Sequence, residues 1–123
     1  IAPQDAAARG PKRLAQAYPF IRYSPNAPVG RIIDAALRSA GLQVRETMRL
    51  DWLEAIEAMV SQGHGISIVP ERKFQGALAL PLRRLSLGAA PYFRTLGLIE
   101  PEGERKRLLT DALFAQLSSR TGT

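Results

Sequence analysis

Few residues in this chain could do chemistry, and its single histidine is the first to consider. His64 lies between two glycines, in the stretch GHG. A Ser–His–Asp arrangement can be assembled on paper from His64, Asp51 and either Ser24 or Ser67. The sequence contains no G-x-S-x-G nucleophile elbow, and the histidine falls in a predicted turn. The sequence therefore predicts no catalytic residue and a protein that is not an enzyme.

Metal and cofactor sites are not predicted either. A metal site needs clustered ligands, whereas this chain has one histidine, no cysteine and dispersed carboxylates. The GHG stretch follows a predicted helix and precedes a predicted strand, which reverses the order of a dinucleotide-binding fingerprint. A Walker-type Gly-Lys-Ser/Thr sequence is also missing. We expect no metal ion and no cofactor.

The chain has a formal net charge of +6, which favours acidic partners in general. Its basic residues occur in scattered groups without interleaved aromatics, as at Arg83–Arg84 and Arg105–Lys106–Arg107. Such scatter is typical of a solvated surface rather than of a nucleic-acid groove. No apolar run approaches the roughly 18 residues of a membrane span. The absence of cysteine fits a reducing cytoplasm, where we expect the protein to be.

A chain of 123 residues has room for one compact domain. Its first residue is not methionine, and residues 1–3 read as the tail of a strand that is already under way. We therefore expect the chain to be part of a longer protein.

Apolar periodicity predicts that strands and helices alternate over most of the chain. Before the first strand, a loop is predicted at 4–13 and a single helical turn at 14–19. The order of the remaining elements predicts an α/β fold with a largely parallel sheet. Strands are predicted at 20–24, 42–50, 66–69, 77–82 and 92–100, and helices at 29–40, from Asp51 to Gly63, and at 103–119. The last helix is predicted to carry an apolar face of Leu108, Leu109, Ala112, Leu113 and Leu117.

Local signals predict the two ends of the middle helix. Asp51 is followed three residues later by Glu54, which is capping-box spacing, so we predict that the Asp51 carboxylate caps the helix. Gly63 is predicted to end the helix with a positive φ, and Gly65 to keep the turn small. His64 is therefore predicted to be a turn residue.

Two places suit a bound ligand, because ligands of open α/β sheets bind beyond the carboxyl ends of the strands, near free helix N–H groups. The first place is 23–30, where a strand runs into a helix. Ser24 and Asn26 offer side-chain hydrogen bonds there. Roles in the turn or in capping the helix explain these two residues equally well.

The second place is 50–52, at the start of the next helix. A capping role suits Asp51 better than a ligand contact, because a carboxylate at a helix N-terminus is already satisfied there. Trp52 is the only tryptophan of the chain. It suits a pocket wall or a surface anchor for a partner better than the core.

The ordered segments of the chain resemble the effector-binding domain of LysR-type transcriptional regulators. The resemblance rests on PFIRYS at 19–24, a helix opening near Gly30, and above all LDWLEAIEAMVSQGHGISIVP at 50–70. The last stretch resembles that family's acidic cap, amphipathic helix, valine before a short G-x-G, apolar strand and proline. ALALPL at 77–82 and FRTLGLIE at 93–100, with the closing helix, resemble the family's return path to its first subdomain.

The resemblance implies a periplasmic-binding-protein-like lobe, with a mostly parallel sheet and helices on both faces. Residues 1–98 would be the second lobe of a two-lobed domain, and residues 99–123 a return segment and C-terminal helix that pack on a first lobe absent from the chain. A small, commonly anionic effector would bind between the lobes, and the signal would pass to DNA-binding heads that are also absent. A lobe of a solute-binding transport protein is the alternative.

The family further implies particular contact residues. Dimers pair the second lobe of one chain with the first lobe of another, so the implied partners are an effector, a homodimer or homotetramer, and DNA only through the missing domain. Many members have a small hydroxyl residue where this chain has Trp52, which bears on the identity of the effector. The candidate effector-binding residues are Tyr23, Ser24, Pro25, Asn26, Leu50, Asp51, Trp52, Ile66 and Ser67. The candidate dimer surface is strand 43–48 with Val29, Ile32, Ile33, Ala36 and Leu37 of the helix 29–40.

Overall fold

The computed structural model describes residues 1–71, 79–88, 92–100 and 107–121. Within these stretches, helices and short strands follow one another much as predicted between residues 20 and 61. The elements are β1 (Ala2–Pro3), α1 (Pro11–Ala17), β2 (Phe20–Tyr23), α2 (Pro28–Ser39), β3 (Glu46–Leu50), α3 (Leu53–Ser61), β4 (Leu82–Arg83) and α4 (Arg107–Thr121).

Parallel pairing forms the centre of the molecule. β2 pairs with β3 in parallel, with Tyr23 opposite Leu50. On the other side of β2, Phe20 forms a parallel bridge with Ile66, and the Ile21 N–H donates to the Ile66 carbonyl at 2.9 Å. The strand predicted at 66–69 is reduced to this bridge, but its start lies beside β2 and runs in the same direction.

The chain's first residues continue this arrangement in the antiparallel sense. The Ile1 ammonium donates to the Ser67 carbonyl at 2.7 Å, and the Ser67 N–H donates back to Ile1 at 3.1 Å. Such an exchange of two hydrogen bonds between two residues is typical of antiparallel strands. β1 then pairs antiparallel with β4, with Ala2 opposite Arg83. The described strands thus form two two-stranded sheets, β2–β3 in parallel and β1–β4 antiparallel. Residues 66 and 67 connect them through their hydrogen bonds to β2 and to Ile1.

Helices cover both faces of this sheet, because consecutive residues of a strand point to opposite sides. Phe20 packs with residues of α1 and α2, whereas its neighbour Ile21 packs with residues of α3. The first cluster includes Leu14, Ala15, Val29, Ile33 and Leu37, and the second consists of Ile21, Ile56 and Val60.

The apolar face of α2 lies in the core, which corrects the expectation that it forms a dimer surface. Val29, Ile33, Ala36 and Leu37 are buried within the chain, and Ile32 is half-buried. A sheet face has to be removed from water, and the most apolar side of the nearest helix does this. The side of α2 that faces solvent instead carries Arg31, Ala35 and Arg38.

The end of α3 confirms the prediction for His64. Gly63 has a φ of 84°, and its N–H donates to the Val60 carbonyl at 3.0 Å. The His64 N–H donates to the Met59 carbonyl at 3.1 Å. These two hydrogen bonds form a Schellman motif, which satisfies carbonyls that the end of a helix would leave without partners. His64 is an exposed residue of this turn.

The end of α2 explains why β3 is shorter than the strand predicted at 42–50. Gly41 has a φ of 60°, and the Leu42 N–H donates to the Leu37 carbonyl at 3.0 Å. Leu42 thus belongs to the end of the helix, and pairing with β2 begins only at Glu46.

The start of α1 was also not predicted. Gly10 and Pro11 suggested a loop, yet the helix begins at Pro11. Proline suits the first position of a helix, because the N–H it lacks would have no helical partner there. The helix ends before Tyr18, which precedes Pro19 and therefore disfavours the helical conformation.

The prediction of a strand at 92–100 is wrong, because these residues form no strand and all of them are exposed. Phe93 and Ile99 are 83% and 95% exposed. A strand needs a neighbour with which to exchange hydrogen bonds, and none is assigned to this segment in the described part of the chain. Of the strand predicted at 77–82, only Leu82 is in a strand, residues 79–81 are not, and residues 77 and 78 lie outside the described residues.

The closing helix is present as α4, although residues 103–106 of its predicted range lie outside the described residues. Every residue of its predicted apolar face is exposed, and Leu108 is 87% exposed. Across the described stretches, no helix combines the length and apolar character that a membrane crossing requires.

Candidate functional site

The ends of β2 and β3 meet at one edge of the sheet. Because the two strands are parallel, their carboxyl ends lie together, and the Ser24 N–H donates to the Leu50 carbonyl at 2.8 Å. We call residues 23–26 and 50–52 the carboxyl edge. The structure thereby brings together seven of the nine candidate effector-binding residues, namely Tyr23, Ser24, Pro25, Asn26, Leu50, Asp51 and Trp52.

The turn after β2 is held by backbone contacts. The Ala27 N–H donates to the Ser24 carbonyl at 3.1 Å, and the Gly30 N–H donates to Ala27 at 2.9 Å. A Cβ atom at Gly30 would lie 2.2 Å from the Ser24 carbonyl oxygen and 2.7 Å from the Pro25 Cα. Only glycine therefore allows α2 to start so close to this turn.

Ser24 and Asn26 lie in the turn before α2 but do not cap the helix, so the capping role is removed and the turn role remains. The N-cap is Ala27, which makes no side-chain cap bond, and Pro28 is the first helical residue. Neither the Ser24 hydroxyl nor the Asn26 amide bonds to another group among the residues that the structure describes. Both side chains are therefore available to a ligand.

Asp51 is not the cap of α3, which corrects the sequence prediction. The N-cap is Trp52, whose carbonyl accepts the Ile56 N–H at 3.0 Å, and no side chain caps the helix. With the cap at Trp52, Glu54 is the second helical residue, one position too early for a capping box. Asp51 is exposed, and its carboxylate has no hydrogen bond or ion pair within the described residues.

Trp52 is the most unusual side chain of the edge, because it is 74% exposed to solvent. The prediction that this tryptophan lies outside the core is confirmed. An aromatic ring on a surface offers a large contact area at a small cost in conformational entropy, which suits a pocket wall or a partner contact.

Ile66 and Ser67 do not reach the carboxyl edge. Ile66 lies opposite Phe20, three positions before Tyr23, which corresponds to about 10 Å at roughly 3.3 Å per residue. Ser67 is buried, and its hydroxyl donates to the Ile21 carbonyl at 2.7 Å. Its hydroxyl and its N–H are thus both engaged within the chain.

One later residue of this segment packs near the edge. Val69 contacts the buried cluster of Ile21, Ile56 and Val60, which Tyr23 and Leu50 also contact. Val69 is not among the predicted site residues. The available signal was the apolar run up to Pro70, but its alignment with β2 is set by contacts distant in sequence.

An ion-pair network holds β2, β3 and α2 together behind the edge. Arg22 of β2 pairs with Asp34 of α2 and with Glu46 of β3, and its guanidinium lies 5.7 Å from the centroid of the Phe20 ring. The hydrogen bond from Arg22 lowers the pKa of the Glu46 carboxyl, and Arg49 adds to this effect with a contact of 2.7 Å.

One cavity in the described part of the chain lies apart from residues 23–26 and 50–52. It has a volume of about 510 Å³ and opens on the face of the sheet covered by α1 and α2. Its wall is mainly apolar and includes Leu14, Ile33, Ile66, Leu85 and Phe93, but no residue of the carboxyl edge. The cavity borders the core cluster of that face, and its wall includes Ile66 and Ser67, the two candidate effector-binding residues that lie away from the carboxyl edge.

These observations define a class of protein, an α/β domain of the kind that presents polar groups and helix starts at the carboxyl ends of parallel strands. Within the described residues, no group of three or more His, Asp or Glu side chains could hold a metal ion. The family model of the LysR substrate binding domain matches residues 1–122, and the chain belongs to this family. Among curated proteins and among solved structures, nothing matches the chain.

Membership in this family has direct consequences. Its domains have a periplasmic-binding-protein-like α/β fold and take an effector-sensing role in LysR-type transcription regulators. Such regulators are generally not enzymes. The resemblance drawn from the segment at 50–70 is therefore confirmed.

Proposed function

We propose that this chain is the second lobe, residues 1–98, and the return segment, residues 99–123, of a two-lobed effector sensor. A small molecule binds between the carboxyl edge and a first lobe that lies outside the chain. The observation that carries the proposal is the meeting of Ser24, Asn26 and Asp51, three polar side chains without a partner among the described residues, at one edge beside an exposed tryptophan.

The exposed apolar residues after position 92 support a missing neighbour. Phe93, Leu96 and Ile99 have the composition of a buried strand, and the leucines of α4 have the spacing of a buried helix face, yet all are exposed. Burial of one such side chain contributes about 1.5–3 kcal/mol. A first lobe that covers these two segments would recover this free energy, and it would supply the strand partner that residues 92–100 lack.

The effector acts by stabilising one arrangement of the two lobes over another. It can shift that equilibrium only by the difference in its affinity for the two arrangements. The carboxyl edge provides half of the contacts, and the first lobe provides the rest. The change then passes through a homodimer or homotetramer to DNA-binding heads outside this chain.

The outer strand β3 and the solvent side of α2 form the dimer surface in this proposal. β3 pairs with β2 on one side, and no strand in the described residues pairs with its other side. An open strand edge is a ready site for association. Thr47 and Arg49 are exposed on β3, and Arg31 and Arg38 on α2. The apolar residues of α2 stay in the core.

Thermal unfolding of the complete two-lobed domain tests the effector site. A screen of small organic ions and aromatic molecules should yield a ligand that raises the Tm, and a ligand at 100 times its Kd stabilises by about 2.7 kcal/mol. Ser24→Ala and Asn26→Ala should reduce this response.

Ser39→Ala is the matched control, because Ser39 is exposed at the far end of α2, about 16 Å from the edge at roughly 1.5 Å per helical residue. A ligand whose stabilising effect is the same in the parent, Ser24→Ala and Asn26→Ala would refute the placement of the site.

A further inference from the structure

We propose that the dimer surface, formed by β3 and the solvent side of α2, binds an acidic surface of a second copy and not the same surface of that copy. This inference rests on the proposed function, because it gives the partner chemistry of the dimer surface named there. Its basis is the balance of charge on that surface. Both of its carboxylates are paired within the chain, whereas two of its arginines are not.

The paired charges form a network that is neutral as a whole. Arg22 of β2 contacts both Asp34 of α2 and Glu46 of β3, and Arg49 contacts Glu46 at 2.7 Å. Two arginines thus balance two carboxylates. Asp34 and Glu46 are the only acidic residues of α2 and β3, so neither element has a carboxylate left for a further cation.

The uncompensated charges are Arg31 and Arg38 of α2. Both are exposed, on the side of the helix opposite its buried residues. Their separation in sequence corresponds to two helical turns, so they lie on the same side, about 10 Å apart along the axis at roughly 1.5 Å per residue. Ala35, which is also exposed, lies between them. Within the described residues, neither guanidinium has a hydrogen bond or an ion pair.

Burial of this surface in a dimer makes a counter-charge necessary. A charged group that leaves water without a partner is strongly destabilising, and paired charges are the form in which buried arginines occur. A guanidinium is well suited to such pairing, because it can donate two parallel hydrogen bonds to one carboxylate. Since this surface has no carboxylate to spare, the partner has to provide the acidic groups.

A second copy cannot provide these groups through its own dimer surface. If the surface met itself across a two-fold axis, Arg31 and Arg38 would face other arginines or carboxylates that are already paired. Like charges placed opposite each other weaken association. The dimer surface of one copy therefore meets a different, acidic surface of the other copy, and a two-fold dimer contains this contact twice.

Dimerisation of the complete two-lobed domain, measured by sedimentation equilibrium, tests the charge of the partner surface. Salt screens the attraction between opposite charges, so the Kd of the dimer should rise about three- to tenfold between roughly 50 and 500 mM sodium chloride. Replacing Arg31 and Arg38 together by glutamine should raise the Kd at low salt and flatten its salt dependence. Replacing both by lysine keeps the charge and should preserve the salt dependence.

Arg13→Gln is the matched control, because Arg13 is an exposed arginine on α1, outside the dimer surface. It should leave both the Kd and its salt dependence close to those of the parent. Ala35→Trp is a probe of the surface that changes no charge, because it places a large ring between the two arginines.

The two substitution types separate failure of this inference from failure of the proposed dimer surface. If Ala35→Trp changes the Kd, but the Kd does not rise with salt or falls when the two arginines become glutamine, the acidic partner is refuted and the dimer surface stands. If neither Ala35→Trp nor the arginine substitutions change the Kd, the dimer surface of the proposed function is wrong, and this inference is wrong with it.

Discussion

Replacing Gly30 by alanine should destabilise the chain, although the same change usually stabilises a helix. In an ordinary helix interior, alanine is favoured over glycine by about 0.8–1 kcal/mol. Here the added methyl group would lie 2.2 Å from the Ser24 carbonyl oxygen and 2.7 Å from the Pro25 Cα, and both contacts are with backbone. Overpacking of this kind costs about 1–3 kcal/mol. Because both clashes are with backbone, which cannot move aside as a side chain can, we take the upper end of this range and expect a net loss of about 2 kcal/mol after the gain in helix propensity is subtracted.

The clash acts on the candidate site as well as on stability. The turn 24–25 has to move away from α2, which disturbs the hydrogen bond between Ser24 and Leu50 that joins the two halves of the carboxyl edge. Gly30→Ala should therefore change the emission of Trp52 in the folded chain. Urea unfolding followed by circular dichroism measures the free energy of unfolding.

Gly97→Ala is the matched control, because a Cβ atom at Gly97 would have no neighbour within 4 Å. The control should be neutral or stabilising by up to about 1 kcal/mol, through the reduced entropy of the unfolded chain. If Gly30→Ala proved as stable as the parent or more stable, the close approach of α2 to the turn after β2 would be refuted.

Two further outcomes are expected from groups that hold the sheet together. The hydrogen bond from Arg22 lowers the pKa of the Glu46 carboxyl. The stability that this contact provides is therefore present above the usual pKa of 4.5 and is lost as the pH falls below it. Glu46→Gln should flatten the dependence of the free energy of unfolding on pH in that range. Ser67→Ala removes a buried hydrogen bond and should cost about 1 kcal/mol in urea unfolding, while the response to an effector stays unchanged; a weaker response would return Ser67 to the site.

Much of the fold could be predicted wherever the signal was local. The apolar spacing in α2, the positive-φ glycine after α3 and the β-rich residues of β2 each act over a few positions, and each was confirmed. The carboxyl edge was also predictable in outline. If β2 and β3 are parallel, their carboxyl ends must lie at the same edge of the sheet. The hydrogen bond between the Ser24 N–H and the Leu50 carbonyl confirms this.

The failures share one physical cause, because each depended on contacts between residues far apart in sequence. The apolar spacing of α2 identified the face of the helix that is buried, but not its partner. That partner is the sheet within the same chain. The residues at 92–100 have the composition of a strand, yet a strand exists only where a second strand provides hydrogen bonds. The position of Ile66 along β2, which keeps Ser67 away from the edge, is likewise decided by pairing and packing.

The sequence by itself determined the family, the order of the elements from residue 20 to 61, the turn role of His64 and the exposure of Trp52. Tertiary structure alone decided where α3 begins. The chain bends at Asp51 and Trp52 has an extended backbone, so the first helical hydrogen bond forms one residue later than the capping-box pattern indicated. That difference of one residue leaves the Asp51 carboxylate without a structural role and available to a ligand.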